Sequence, residues 1–269
     1  AQEEGLTMVH PFNDLAVATG QGTIAMEIVQ EQPLIDVIVV PIGGGGLAAG
    51  VSTLAKLLTP RIRVVGVEPA GAACMRASLE AGQVVKLPSV STIADGTAVQ
   101  EPGDQVFPYI RDNVDEIVCV EDGELIGAFL DMVENHKMIV ENSGLLSVAA
   151  LKHLDVAGKN VACVLSGGNM DVITMSSVVQ HGLIQRDRVF TVSALLPDRP
   201  GQLLLVAQTI AQANGNVIRL DHNQFVSTNR NAAVELRVTV EAFGPDHKQA
   251  IIDALRAVGI DSQVVTTQL

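Results

Sequence analysis

The stretch VVPIGGGGLAAG, residues 39–50, sets an apolar run against a run of small helix-forming residues, with Gly43, Gly44, Gly45 and Gly46 between them. A chain gives up side chains where its backbone must take positive φ or be approached closely. A helix that begins at Leu47, straight after such a loop, aims the positive end of its dipole and its unpaired N–H groups at an anion. One or two glycines would serve a bare turn, so four in a row predict a phosphate cradle. The loop alone leaves the phosphate's identity open. Gly44, Gly46 and Ala49 also satisfy G-x-G-x-x-G/A, and Glu68 closes the next strand where the ribose-binding acid of a dinucleotide site belongs.

Around this loop the sequence alternates. Val- and Ile-rich runs at 36–42, 63–68, 116–120 and 160–165 read as strands, and 46–58, 123–135 and 143–153 carry helical spacing. That is the pattern of a mostly parallel sheet covered on both faces by helices, an α/β fold. Near 185–188 a short polar stretch of mixed charge begins a second pattern. Strands at 189–196, 216–225, 232–241 and 262–266 and helices at 200–214 and 246–258 give the order β-α-β-β-α-β, a small split unit. The expected domains are therefore 1–185 and 186–269.

Composition narrows the partners. Hydrophobic residues make up 48% of the 269, ample for a core, yet no run of about 18 apolar residues predicts a membrane span. The opening AQEEG has no basic n-region of a signal peptide, and the expected compartment is the cytoplasm. Cys74, Cys119 and Cys163 lie far apart without metal-ligand spacing. A net charge of −13, one Tyr and no Trp argue against nucleic acid. A small-molecule partner is expected.

Five further stretches occur in a telling order: MVHPFNDLAVATGQGTIAMEI (8–28), VEPAGAACMRASLEAG (67–82), STIADGTAV (91–99), IVENSGLL (139–146) and LSGGNMD (165–171). Through them the first domain resembles the serine/threonine dehydratases of the fold type II pyridoxal-phosphate enzymes, in particular threonine ammonia-lyases, with serine racemase a close relative. The resemblance implies that Gly43, Gly44, Gly45, Gly46 and the N–H of Leu47 hold the phosphate of pyridoxal 5'-phosphate. It implies that the Ser166 hydroxyl faces the pyridine nitrogen, with Gly168 and Asn169 shaping the turn. A hydroxyl cannot protonate the ring as a carboxylate would, which leaves a weaker electron sink suited to β-elimination. Asp95 and Gly96 match a loop bordering the ring, and Glu141 a carboxylate beside it. The plain alternatives are turn or cap roles for Ser166 and Glu141. Glu68, the carbonyl of Ala72 and Cys74 match a site for a structural monovalent or divalent cation, but Cys74 replaces the oxygen ligand that a hard cation prefers. His10 is expected to be a packed, hydrogen-bonded residue and not a general base.

The family's Schiff-base lysine sits in a motif of the type S-F-K-x-R-G-A, and a second motif, S-x-G-N-H-A-Q-G, cups the ring. Neither occurs among these residues, and none of Lys56, Lys86, Lys137, Lys152, Lys159 and Lys248 has such a context. The expectation is a chain lacking the family's N-terminal portion and inactive alone, since that lysine is both covalent anchor and base. The second domain's LLPDRPGQLLLVAQTIAQANGNVIRL (195–220) resembles the opening of an ACT domain, a regulatory module that binds amino acids. Asp198, Gly201, Gln202, Asn214 and Asn216 are the implied effector contacts, with Pro200 early in the helix; turn chemistry would use the same residue types. The resemblance also implies a homo-oligomer, dimer or tetramer. Two other readings stand beside the ammonia-lyase: a non-catalytic ACT-containing regulatory or interaction protein, and a dinucleotide-binding oxidoreductase.

Overall fold

A computed structural model describes residues 7–223 and 234–267 of the chain. The chain divides into two compact units between Met175 and Ser176. In the first, α1 (Leu15–Gln21) and α2 (Thr23–Glu31) precede β1 (Val37–Pro41), α3 (Gly46–Leu58), β2 (Arg63–Pro69), α4 (Cys74–Ala81), α5 (Phe107–Asn113), β3 (Glu116–Val120), α6 (Asp122–Asp131), α7 (Asn142–Ala149) and β4 (Val161–Cys163). The division falls inside α8 (Val172–Gln185), ahead of the boundary expected near 186. A continuous helix carries the chain onward, and the polar stretch is the turn at its end, with Asp187 at φ 53°.

The four strands form a parallel sheet in the order β3-β2-β1-β4. All five residues of β1 are buried. A strand covered on both faces reads as a continuous apolar run and not an alternating one, which is why VIVV stands out in the sequence. Ile38, Val40 and Ile42 join Ala48, Val51 and Ile110 in one core cluster. Each fully buried Val or Ile contributes roughly 1.5–3 kcal/mol, so this cluster anchors α3 against the sheet. α3 runs over Gly46–Leu58, where periodicity puts it, with Gly45 at φ 104° as its N-cap. The helix expected over 123–135 keeps α geometry to Asp131. It then widens into a π-turn, Met132–His136, and stops at Lys137, whose φ is 58°. No helix among the described residues is long and apolar enough to cross a membrane.

The second unit holds β5 (Val189–Leu196), α9 (Gln202–Gln212), β6 (Asn216–Asn223), β7 (Val234–Glu241), α10 (Pro245–Ala257) and β8 (Ser262–Val265). Its sheet is antiparallel in the order β6-β7-β5-β8. Val234, Leu236, Val238 and Val240 of β7 join Val206, Ile210 and Ile251 in its core. The residues that alternate with them along β7 point to the other face. The expected strand limits at 225 and 232 lie outside the described residues. Pro200 stands before the N-cap, Gly201, and not within the helix, because Gly201 at φ 94° makes the turn.

Gly50 shows how closely the helices of the first unit approach. A Cβ there would lie 2.0 Å from the carbonyl oxygen of Ala18 in α1. Gly50→Ala is expected to destabilise the first unit by about 1–3 kcal/mol through overpacking. The measurement is the urea midpoint at unchanged slope, and an unmoved midpoint would show that α1 and α3 do not meet this closely.

Candidate functional site

β1 and β4 are parallel neighbours, so the loops that leave their C-terminal ends lie side by side. In open parallel sheets that edge is where ligands bind. Here it carries the glycine loop after β1 and the LSGGN turn after β4.

Peptide geometry sets the polarity of the glycine loop. The carbonyl of Gly44 accepts the N–H of Gly103 (2.9 Å), and that of Gly45 accepts the N–H of Ala49 (2.8 Å). A trans peptide directs its N–H opposite to its C=O, so the N–H groups of Gly45 and Gly46 turn away from those partners. Among the described residues no main-chain partner is found for the N–H of Gly43, Gly44, Gly45, Gly46 or Leu47. Carbonyls engaged and amides free, at the start of a 13-residue helix, make a cradle for an anion. The residues present fit a phosphate.

The reason for four glycines differs from expectation. A Cβ at Gly44 would lie 2.1 Å from the ring of Phe12, and one at Gly46 2.8 Å from the Phe12 main chain. At Gly43 it would stand 3.0 Å from Thr97 Cα, and at Gly45 2.7 Å from Ile110 Cδ1. Packing against Phe12 requires Gly44 and Gly46, the φ of 104° favours glycine at Gly45, and Gly43 is held close to Thr97, so their number is not by itself a ligand signal. The amides are.

Thr97 belongs to the 3-10 turn Asp95–Thr97, which reaches α7: Thr97 Oγ1 lies 3.4 Å from Ser143 Oγ. Glu141 braces the turn after β4. Its N–H donates to Gly167 O (3.1 Å), its Oε2 accepts the N–H of Asn169 (3.2 Å), and a Cβ on Gly167 would collide with its carboxylate. Asp95, Gly96, Glu141, Asn142 and Asn169 line one cavity of about 260 Å³. Ser166 is exposed, and its hydroxyl has no partner among the described residues. Asp171 starts α8 by accepting the N–H groups of Ile173 and Thr174. The Thr174 hydroxyl, with those amides, holds its carboxyl below the usual range. The structure thus gathers the glycine loop, Gly96, Glu141 and the SGGN turn at one sheet edge. His10 is a hydrogen-bonded turn residue, its Nδ1 accepting the N–H of Asn13 (2.9 Å).

Glu68 is fully buried, which removes it from any ribose and with it the dinucleotide reading. Its carboxylate instead accepts the N–H groups of Met75 and Arg76 (2.8 Å each), capping α4. Burial pushes its pKa up to about 7 against the pull of those amides. Cys74 lies beside it. Burial first and the Glu68 charge second push that thiol up to about 12, so it stays protonated. One carboxylate engaged by amides, a protonated thiol and the Ala72 carbonyl do not form the oxygen cage of a hard cation.

In the second unit Asp198, Gly201 and Gln202 line a cavity of about 330 Å³ with His222 and Leu236. Asn214 and Asn216 lie beyond the other end of α9, so the five effector candidates do not form one set within the unit. Asn214 takes φ 62° to end the helix, and Asn216 Nδ2 donates to Glu241 Oε2 (3.2 Å).

The pyridoxal-phosphate dependent enzyme family matches residues 1–167, and the chain belongs to that family. It is similar to an L-threonine ammonia-lyase of Geobacter sulfurreducens, 43% identical over 96% of this chain and 65% of the relative. A second L-threonine ammonia-lyase, of Thermotoga maritima, is 37% identical over 98% of this chain and 66% of the relative. Among solved structures it is similar to the processed form of threonine deaminase isoform 2 from Solanum lycopersicum. That match has a TM-score of 0.63 and 35% identity, over 67% of this chain and 54% of that one. The chain thus spans just under two thirds of the length of these curated relatives. Pyridoxal phosphate is the cofactor of the family.

Glu68 gives a pH test. Its folded pKa, about 7, lies above its ordinary 4.5, so the folded state binds more protons between those values. Its contribution to stability is full below about 4.5 and lost as pH rises through 7. In buffer free of multivalent cations, unfolding free energy is expected to fall over that window, and Glu68→Gln is expected to flatten the fall. Parallel profiles for the two proteins would show that Glu68 does not titrate there.

Proposed function

We propose that the chain carries the phosphate side of the cofactor site of a threonine/serine ammonia-lyase. The reaction of such an enzyme is dehydration and deamination of L-threonine to 2-oxobutanoate and ammonia, or of L-serine to pyruvate. The observation that carries this reading is the row of unpaired amides from Gly43 to Leu47 beside the free hydroxyl of Ser166, at the β1–β4 edge. In this reading those amides hold the phosphate, Ser166 meets the ring nitrogen, and Gly96 and Glu141 border the ring. Pyridoxal phosphate, when bound, supplies the electron sink for loss of the α-proton and departure of the β-hydroxyl. The protein's part on this side is to bind and orient, with Glu141 keeping the SGGN turn in place.

These 269 residues alone are proposed to be inactive. The covalent anchor and base of the family is a lysine, and none of the six lysines lines the site cavity. Lys56 is bound to Asp115 and Lys137 to the carbonyl of Glu134. Lys248 is paired with Asp187 in the second unit. Ile139, Val172 and Ile173 stand 53%, 78% and 84% exposed near that cavity, which supports further polypeptide covering the site in the active assembly. The second unit, with its β-α-β-β-α-β order and the cavity at Asp198, Gly201 and Gln202, is proposed to be an ACT-like, amino-acid-responsive module that pairs with another copy. The same lack of a site lysine favours one other reading, a non-catalytic regulatory protein that keeps this module.

The test is direct. Purified chain is expected to bind pyridoxal phosphate reversibly, without visible absorbance that survives dialysis and without ammonia release from L-threonine. Absorbance that survives dialysis would show that a lysine of this chain reaches the cofactor after all. An absence of binding would remove the cradle reading.

A further inference from the structure

The free amides of the glycine loop are held in place by no hydrogen bond of their own, so something else must fix their direction. The carbonyl of Gly44 is fixed by the N–H of Gly103, and this sets the N–H of Gly45 through the planar peptide. Gly103 in turn sits beside Asn13: a Cβ on it would lie 2.7 Å from Asn13 Oδ1. Asn13 grips that loop in three ways. Its Nδ2 donates to Asp104 Oδ1 (2.7 Å), its Oδ1 accepts the N–H of Gln105 (3.0 Å), and its carbonyl accepts Gln105 Nε2 (3.2 Å). Next to Asn13, the Phe12 ring fills the space beside Gly44, and the Phe12 main chain lies against Gly46. His10 completes the turn, its Nδ1 accepting the N–H groups of Phe12 (3.3 Å) and Asn13 (2.9 Å) and its ring meeting the Phe12 ring edge-on at 4.5 Å. The contacts close a circuit from Phe12 through Asn13 and the 103–105 loop back to Gly44.

We infer that the strap His10-Pro11-Phe12-Asn13 is the outer wall of the phosphate cradle, with Phe12 and Asn13 as positioning residues that aim the loop amides at a phosphate ester. This rests on the reading of the loop as a phosphate site and adds which side chains determine its affinity. Phe12 acts by volume: remove the ring and Gly44 regains room to move. Asn13 acts by direction: remove its side chain and the partner of the Gly44 carbonyl loosens. Neither residue touches the ligand.

The experiment measures the Kd of the 269-residue chain for pyridoxal phosphate and for inorganic phosphate, with Tm recorded alongside. Phe12→Ala is expected to weaken both ligands by about tenfold or more, the size of one lost charge-assisted hydrogen bond. Phe12→Leu, which refills most of the space, is expected to recover much of that loss. Asn13→Ala, at an exposed hydrogen bond, is expected to weaken both ligands severalfold with Tm little changed. That split between Kd and Tm is one a merely structural role would not give. Gly44→Ala places a methyl group where the ring stands, so it is expected to abolish binding alone and to regain part of it when combined with Phe12→Ala. If wild-type chain binds and both Phe12→Ala and Asn13→Ala bind with unchanged Kd, the strap does not position the cradle, and the phosphate site itself stands. If the wild type binds neither ligand, the underlying site falls, and the inference with it.

Discussion

Between β1 and α3 the chain passes through four residues without side chains, and the room they leave is occupied by other parts of the same chain. Phe12, Thr97, Ile110 and Met75 each stand where a Cβ would be. This steric fit joins the segment ahead of α1, the Asp95–Thr97 turn and α5 to a single point at the sheet edge. The loop's carbonyls are engaged by Gly103 and Ala49, and its amides are what remains. The electrostatic character of the site is therefore a by-product of how the backbone is packed: close approach fixes the peptide planes, and the planes decide which polar groups are left over.

The same economy appears after β4. Gly167 is small because the Glu141 carboxylate lies against it, and Glu141 in turn holds the Asn169 amide. A carboxylate at the start of α7 and a turn about 25 residues later in the chain thus form one unit, and Ser166 is carried on it. Glu68 does comparable work at α4. It sits fully buried because two helix amides receive it, and its raised pKa records that two hydrogen bonds do not fully offset the loss of water around a carboxylate.

Much of this was legible in the sequence. The parallel sheet followed from unbroken Val and Ile runs, and β3, β5 and α3 lie within a residue of where periodicity put them. The residues proposed for the phosphate and ring were legible as motifs, and the structure brings them to one edge. What was not legible depends on pairs far apart in the chain. Nothing around Asn13 announces Gln105, and nothing around Glu68 announces that its oxygens will cap α4 in place of holding a cation or a ribose. Asn214 and Asn216 are implied effector contacts alongside Asp198, and an 11-residue helix sets them at its other end, roughly 17 Å of rise away. Local patterns report periodicity and turn chemistry; they do not report which surfaces meet.

The crowding around the glycine loop bears on how such motifs persist in evolution. Because Gly44 and Gly46 are demanded by Phe12 and Gly45 by its backbone conformation, selection for a stable fold alone would retain them in a descendant that had ceased to bind any cofactor. Phe12 and Gly44 form a reciprocal pair, so substitutions at one are expected to drift with those at the other whatever the ligand does. A glycine-rich loop of this kind is a record of packing first. In the proposed site, the side chain that would lapse earliest once the cofactor is lost is the one the fold does not use, the hydroxyl of Ser166.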